Sequence, residues 1–253
     1  MKTTGRIMEY YTEDTQFNLA LEESILRLHP TSDHLMTLRF WRNPSSVIIG
    51  RGQDIRKEVE LEYCKKYGVK IARRISGGGS VYHDMGNLNT SIFTPKKLLE
   101  REHDIVYVQR SFCDLLVESL QEMGFAVTRR DNTNILYNKR KISGAAAYFT
   151  KDYVLYHATL LHSSDLNRLE SCLIHNSGEE RLSSRYQPTT NLEELDLITW
   201  KRRFIQKVQT AFNVEFEEIG PHEDEIELAK KLTSVYNQHE WVFKGSRSKV
   251  ISL

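Results

Sequence analysis

The chain has 253 residues, with 35 Lys plus Arg against 34 Asp plus Glu and a net charge of +1 when His is neutral. That balance argues against bulk binding to nucleic acid or an anionic membrane, both of which draw on a strong basic excess. No apolar run nears about 18 residues and the N-terminus is polar, so neither a membrane span nor a secretory signal is expected, and a cytoplasmic protein is.

Residues 14–28 carry a helical period, with Phe17, Ala20, Leu21, Ser24, Ile25 and Leu28 on one side and Glu22, Glu23 and Arg27 opposite. Residues 35–41 alternate as a strand, and Val47, Ile48 and Ile49 form a second short strand ending at Gly50. A helix is expected over 61–67, capped by Gly68, then a strand over 69–72 and another over 89–93. The longest helical pattern runs over 103–123 and stops at Gly124. Residues 135–141 read as two short strands about a turn at Asn138-Lys139. A strand follows over 154–161, and Asp165 caps a helix reaching Cys172. Residues 174–190 are expected to form a long loop. Helices follow over 192–212 and 223–232, with a strand at 214–216, and the end carries Trp241, Phe243 and a basic tail of Lys244, Arg247 and Lys249. Irregular alternation of strands and helices implies an α+β fold, with one domain over 1–220 and a short C-terminal helical appendage over 221–253. Cys64, Cys113 and Cys172 are odd in number and far apart, which suits free thiols and neither a zinc ribbon nor a disulfide framework.

Two stretches carry chemistry. In Arg73 to Ser91, three successive glycines follow a strand. They cost backbone entropy and contribute nothing to a core, but they let main chain approach a ligand and turn N–H groups toward an anion. Arg74 would offer a two-pronged donor to a carboxylate or phosphate, with His83, Asp84, Asn87 and Asn89 close behind. A plain surface hairpin, and a structural His83, remain the alternatives. The spacing matches neither a Walker A loop nor a dinucleotide fingerprint. In the second stretch, Lys139 to Tyr148, Lys141 precedes Ile142 and the small residues Ser143 to Ala147. A lysine on such a wall suits charge developing on an acyl carbonyl or phosphate ester, and a solvated surface lysine is the alternative.

These residues resemble the lipoate–protein ligase A family, within the wider group of biotin and lipoate protein ligases. The family hallmark Arg-Arg-x-Ser-Gly-Gly-Gly-x-Val-Tyr-His-Asp-x-Gly-Asn-x-Asn stands here as Arg73 through Asn89, with Ser76, Gly77, Gly78, Gly79 and Val81 in place. Pro44 to Gln53 resembles the family's Pro-x-x-Val-Ile-Gly-Arg-x-Gln, and Lys141-Ile142-Ser143-Gly144-Ala145-Ala146 its lysine motif. His157, Thr159 and Leu160, then Thr190-Asn191-Leu192, resemble its later signatures.

The resemblance implies a central mixed sheet packed by helices. It implies an enzyme that uses ATP and Mg²⁺ to adenylate lipoate and passes the lipoyl group to a carrier lysine. The implied carriers are lipoyl domains of 2-oxoacid dehydrogenase E2 subunits and the glycine cleavage H protein. It assigns Lys141 to the acyl carbonyl and phosphates, and the glycine turn, Arg74 and His83 to the adenylate. Asn134 stands where the family commonly has an Asp near the metal, with Asp131 slightly upstream. Gln187-Pro188-Thr189 replaces a Ser-Arg-Val, with Arg185 nearby, and Asp54 replaces an Asn. The length resembles two-component ligases that need a separate small accessory subunit. The alternatives are an octanoyl or lipoyl transferase working through a thioester, for which Cys172 is the candidate, and a non-catalytic lipoate-binding protein.

Overall fold

Alternation of apolar residues along several segments builds one large sheet, and a computed structural model describes residues 4–175 and 186–246 of it and its surroundings. In chain order the elements are β1 (Thr4–Glu9), α1 (Thr15–Leu28), β2 (Thr37–Trp41), β3 (Ser46–Ile49), α2 (Ile55–Glu58), α3 (Leu61–Lys66), β4 (Lys70–Arg73), β5 (Val81–His83) and β6 (Asn87–Pro95). Then come α4 (Ile105–Gln121), β7 (Val127–Arg130), β8 (Asn134–Tyr137), β9 (Arg140–Phe149), β10 (Tyr153–Leu161), α5 (Leu166–Cys172), α6 (Leu197–Phe212), β11 (Glu215–Glu218), α7 (Glu223–Tyr236) and α8 (His239–Lys244). Asp14, Asp54, Asp104, Asp165 and Asp196 cap α1, α2, α4, α5 and α6 through their carboxylates. Asp54 therefore has a local structural task.

The large sheet has the order β11-β1-β2-β6-β10-β9-β8-β7. Its first three strands are parallel and the rest antiparallel, so the sheet is mixed, as expected. The period of two splits its residues between two cores. Leu38, Phe40, Ile92 and Tyr156 face α4 and α6, where Phe112, Leu116, Trp200 and Phe204 complete one cluster. Trp41, Phe93 and Leu155 point the other way, toward α1 and α7. A small sheet of order β4-β3-β5 lies apart from the large one, with a third cluster about Val47, Ile49, Cys64 and Cys172.

Several expectations need correction. β1, β5, β7, α2 and α8 went unread, because each is short and its apolar pattern spans too few residues to show a period. The helix expected from 192 starts at α6 after Asp196, and β9 extends through the whole alanine run instead of ending at Lys141. Glu22 and Glu23 are buried rather than solvent-facing, since α1 is covered by the sheet on one side and by α7 on the other. Residues 221–246 pack into the body. Arg6 on β1 and Glu225 on α7 form a buried ion pair at 2.5 Å, Ser24 donates to the Glu225 carbonyl, and Tyr236 donates to Glu23. α8 is clasped by Arg73, which donates to the carbonyls of Trp241 and Val242 and to those of Gly50 and Gln53. The turn at Asn138-Lys139 is present, with positive φ at both residues, as a tight antiparallel hairpin requires. Part of the expected 174–190 loop, with Arg185, and the tail residues Arg247 and Lys249 lie outside the described residues.

Candidate active site

Two cavities meet at Lys141. The larger, about 360 Å³, lies between the large sheet, α1 and the glycine turn. The smaller, about 80 Å³, is lined by Tyr82, Leu161, Leu169, Leu173 and Ile174. Lys141, Ser80, Val81, Thr159 and Gln187 line both.

Lys141 sits where the pairing of β8 and β9 slips by one residue, a bulge of the kind that re-aims a side chain. Its backbone is pinned from the other side, the N–H donating to Pro188 and the carbonyl accepting from Thr190. The ammonium has neither an ion-pair nor a hydrogen-bond partner among the described residues. Burial, with Arg74 adding repulsion, pulls its pKa down to about 8. Room for it comes from Gly144, where a Cβ would lie 2.7 Å from Nζ. Thr159 fixes that strand, accepting from the Gly144 N–H at 3.0 Å.

The triple-glycine turn is built around Arg74, which also lines the larger cavity. Arg74 does not hold its fork free for a ligand. Nη2 donates to the carbonyls of Gly77 and Gly79 at 2.6 and 2.9 Å, Nη1 to Ile48, and Nε to Ser76. Its guanidinium is thus a structural pin, and burial lowers its pKa to about 10 against an opposing pull from Glu22. Gly78 takes φ +88°, and a Cβ there would come within 3.0 Å of Arg74 Nη2. With the Gly77 and Gly79 carbonyls drawn toward Arg74, the N–H groups of Gly77, Gly78 and Gly79 have no partner among the described residues, and all three residues line the larger cavity. Together they make a donor-rich concavity.

Of the other expected residues, Val81, His83, Asn89, Asn134, Ala145, His157 and Thr159 line the larger cavity. Ser143 lines the smaller one, and its buried Oγ has no partner among the described residues. Ser76, Asp84 and Asn87 line neither cavity. Ser76 bridges Arg74 to His157 Nε2 at 2.7 Å. Asp84 accepts from the Gly86 and Asp165 N–H groups and ties two turns together. Asn87 donates to Asn89 Oδ1 at 2.9 Å, which leaves the buried Asn89 Nδ2 without a partner among the described residues.

At the deep end, Leu19, Trp41, Ile48 and Ala146 give apolar walls around a polar cluster of which the sequence reading named only His157. Glu22 faces His157 Nδ1 at 3.2 Å and accepts from Ser91 at 2.5 Å, while Trp41 Nε1 donates to Ser91. Burial alone would raise the Glu22 pKa, but His157, Arg39 and Ser91 outweigh it and hold the carboxyl below its usual range. The available signal was a glutamate in the middle of a helix with ten buried residues.

At the rim, Asn134 stands with Asp131 and Arg130. Among the described residues no group of three or more His, Cys, Asp or Glu could hold a metal by itself. One carboxylate and one amide oxygen are, however, the modest set that suits Mg²⁺ arriving on a polyphosphate. Cys172 is fully buried and lines neither cavity. A hydrogen bond with Cys64, together with burial, raises its pKa well above the thiol norm, which disfavours a thiolate nucleophile.

Comparison with known proteins fits this geometry. The family model for the lipoyl protein ligase A/B catalytic domain matches residues 14–216. The chain is 30% identical to lipoate-protein ligase A subunit 1 of Thermoplasma acidophilum, over 98% of this chain and 99% of that one. A structure of a bi-partite lipoate protein ligase and its E2 lipoyl domain from that organism superposes with a TM-score of 0.84 at 29% identity, covering 98% and 100% of the two chains. A lipoate-protein ligase A bound with ATP gives 0.83 at 31% identity, covering 96% and 100%. A lipoate-protein ligase of Bacillus subtilis is 34% identical over 63% of this chain, but the match spans only 46% of that longer protein.

Proposed function

Since the chain belongs to the lipoyl protein ligase A/B catalytic domain family, we propose that it is the catalytic subunit of an ATP-dependent lipoate–protein ligase. The observation that carries this reading is a lysine ammonium at the junction of two cavities, beside a turn of backbone N–H groups, all without partners among the described residues. One cavity then takes an acyl chain, the other a nucleoside, and the reacting centre lies between them.

In the first step a lipoate carboxylate oxygen attacks the α-phosphorus of ATP and pyrophosphate leaves. In the second, the ε-amine of a carrier lysine attacks the acyl carbonyl, AMP leaves, and the nitrogen gives up a proton. Both transition states gather negative charge on oxygen, and both lie within reach of one fixed cation. Lys141 supplies it, and the Gly77–Gly79 N–H groups supply neutral donors. The acyl tail packs on Leu19, Trp41 and Ile48, where each buried methylene contributes about 0.8 kcal/mol. Mg²⁺ would neutralise phosphate charge, held by Asp131 and Asn134.

A match over 99% of a protein that is itself one subunit, lipoate-protein ligase A subunit 1 of Thermoplasma acidophilum, supports a division of labour between this chain and a separate small accessory subunit. The acceptors on this reading are E2 lipoyl domains and the glycine cleavage H protein, and the setting is the cytoplasm. Among the described residues no helix is long and apolar enough to cross a membrane. The test is to incubate the purified chain with lipoate and Mg-ATP, with and without the accessory protein, and to follow lipoyl-AMP and pyrophosphate. Formation that needs ATP and is lost in Lys141→Ala supports the reading. Tight lipoate binding with no pyrophosphate in either case sinks it.

A further inference from the structure

A chain of two buried side-chain amides settles which nitrogen of His83 carries the proton. It starts at a group with no ambiguity. The Thr12 backbone N–H can only donate, and it donates to Asn18 Oδ1 at 2.8 Å. Asn18 Nδ2 is therefore the amide nitrogen, and it donates to the carbonyls of Thr12 and Arg42 at 2.7 and 3.2 Å, groups that can only accept. Its two protons serve three contacts, the long one to Arg42 being shared, and the 2.8 Å contact to Asn43 must likewise be to an acceptor, which fixes Oδ1 on that side of Asn43. The opposite atom, Asn43 Nδ2, lies 3.1 Å from His83 Nδ1 and has only protons to offer. His83 Nδ1 is consequently a bare lone pair, and in the neutral ring the proton is on Nε2. Asn18 and Asn43 are fully buried and His83 is 4% exposed, so no bulk water competes for these bonds.

The neutral state itself has independent support. Burial first, and Arg74 second, press the His83 pKa down to about 3. The ring lines the larger cavity, and Nε2 has no hydrogen-bond partner among the described residues. Beside it in the lining are other donors without partners there, Asn89 Nδ2 and the N–H groups of the glycine turn. A buried donor left unpaired costs about 1–3 kcal/mol, a cost that a ligand oxygen would remove.

We propose that Asn18 and Asn43 are positioning residues that lock His83 as the Nε2–H tautomer, so that the cavity presents a neutral donor to an oxygen of the bound acyl group. This rests on the ligase reading for the identity of the ligand, and on hydrogen-bond geometry alone for the tautomer. The opposite tautomer would aim a lone pair at the same oxygen and turn attraction into repulsion. A cation would also donate, but it would set an N–H against the Asn43 N–H.

The experiment uses the full chain labelled with ¹⁵N-histidine and reads the imidazole nitrogens by two-bond correlation to the ring protons. The wild type is expected to show a protonated Nε2 and an unprotonated Nδ1. Asn43→Asp replaces the donor by an acceptor and should move the proton to Nδ1. Lipoate and octanoate binding, followed by calorimetry, should weaken roughly tenfold to a hundredfold in that variant. Asn43→Ala, which removes the lock without reversing it, should give mixed nitrogen signals and a smaller loss. A wild-type proton on Nδ1 overturns the proposal, and so does an Asn43→Asp protein that moves the proton yet binds lipoate as before. If the variants do not fold, the wild-type spectrum still decides the tautomer. Wild-type protein that binds neither acid would refute the ligase reading and the role toward an acyl oxygen, while the spectra would still judge the lock.

Discussion

Replacing Lys141 by Met should remove activity and raise stability together. The ammonium has no anionic partner among the described residues, and its pKa falls from 10.5 to about 8 through burial and then Arg74. A lysine that is easier to deprotonate when folded binds fewer protons in the native state than in the unfolded one between those two values. Native stability therefore rises with pH across that window. Below pH 8 the full penalty applies, and 2.5 units at 1.36 kcal/mol each set a ceiling of roughly 3 kcal/mol. Lys141 is only partly buried and water screens it, so about 1–2 kcal/mol is the expected gain for Lys141→Met at pH 7. The assay is urea denaturation of both proteins from pH 7 to pH 10.5, with pyrophosphate release measured in parallel. The gap should be widest at pH 7 and close toward pH 10.5, while the variant makes no lipoyl-AMP. A variant less stable than wild type at pH 7, or a gap that ignores pH, would show that Lys141 is held by a compensating partner.

Three further outcomes are expected. Gly144→Ala puts a methyl 2.7 Å from Lys141 Nζ, the free end of a flexible chain; lipoyl-AMP formation should fall at least about tenfold while the melting temperature barely moves, and an unchanged rate would mean the lysine does not work from this pose. Glu225→Gln strands the buried Arg6 guanidinium and should cost about 3–5 kcal/mol in denaturant unfolding; a loss under about 1 kcal/mol would mean that water reaches Arg6. Cys172→Ser should leave the ligase rate intact at the price of modest stability, since the thiol is buried away from both cavities, and a rate that collapses would revive the thioester route.

The sequence by itself determined the fold class, the long helices and the two stretches on which the site is built. Those features are local. An apolar period marks α4, a carboxylate before a helix caps it, and three glycines after a strand point to a ligand or a tight hairpin rather than to a core. Gly77 to Gly79, Lys141 and His83 were legible as candidates because each stands in a run whose composition serves no packing purpose. What Arg74 does was not legible. An arginine beside glycines reads as a ligand binder, and only the three-dimensional turn shows its donors spent on Ile48, Gly77 and Gly79. Tertiary structure also decided that Glu22 is buried against His157, that Asn43 meets His83 across 40 positions, and that two cavities share Lys141. The physical reason is common to all of them. Hydrogen-bond partners and charge neighbours are fixed by which segments the sheet order brings side by side, and β2, β6 and the β9–β10 hairpin are drawn together from separate parts of the chain by burial, which has no direction, so that local sequence marks which face is buried but not which segment it meets.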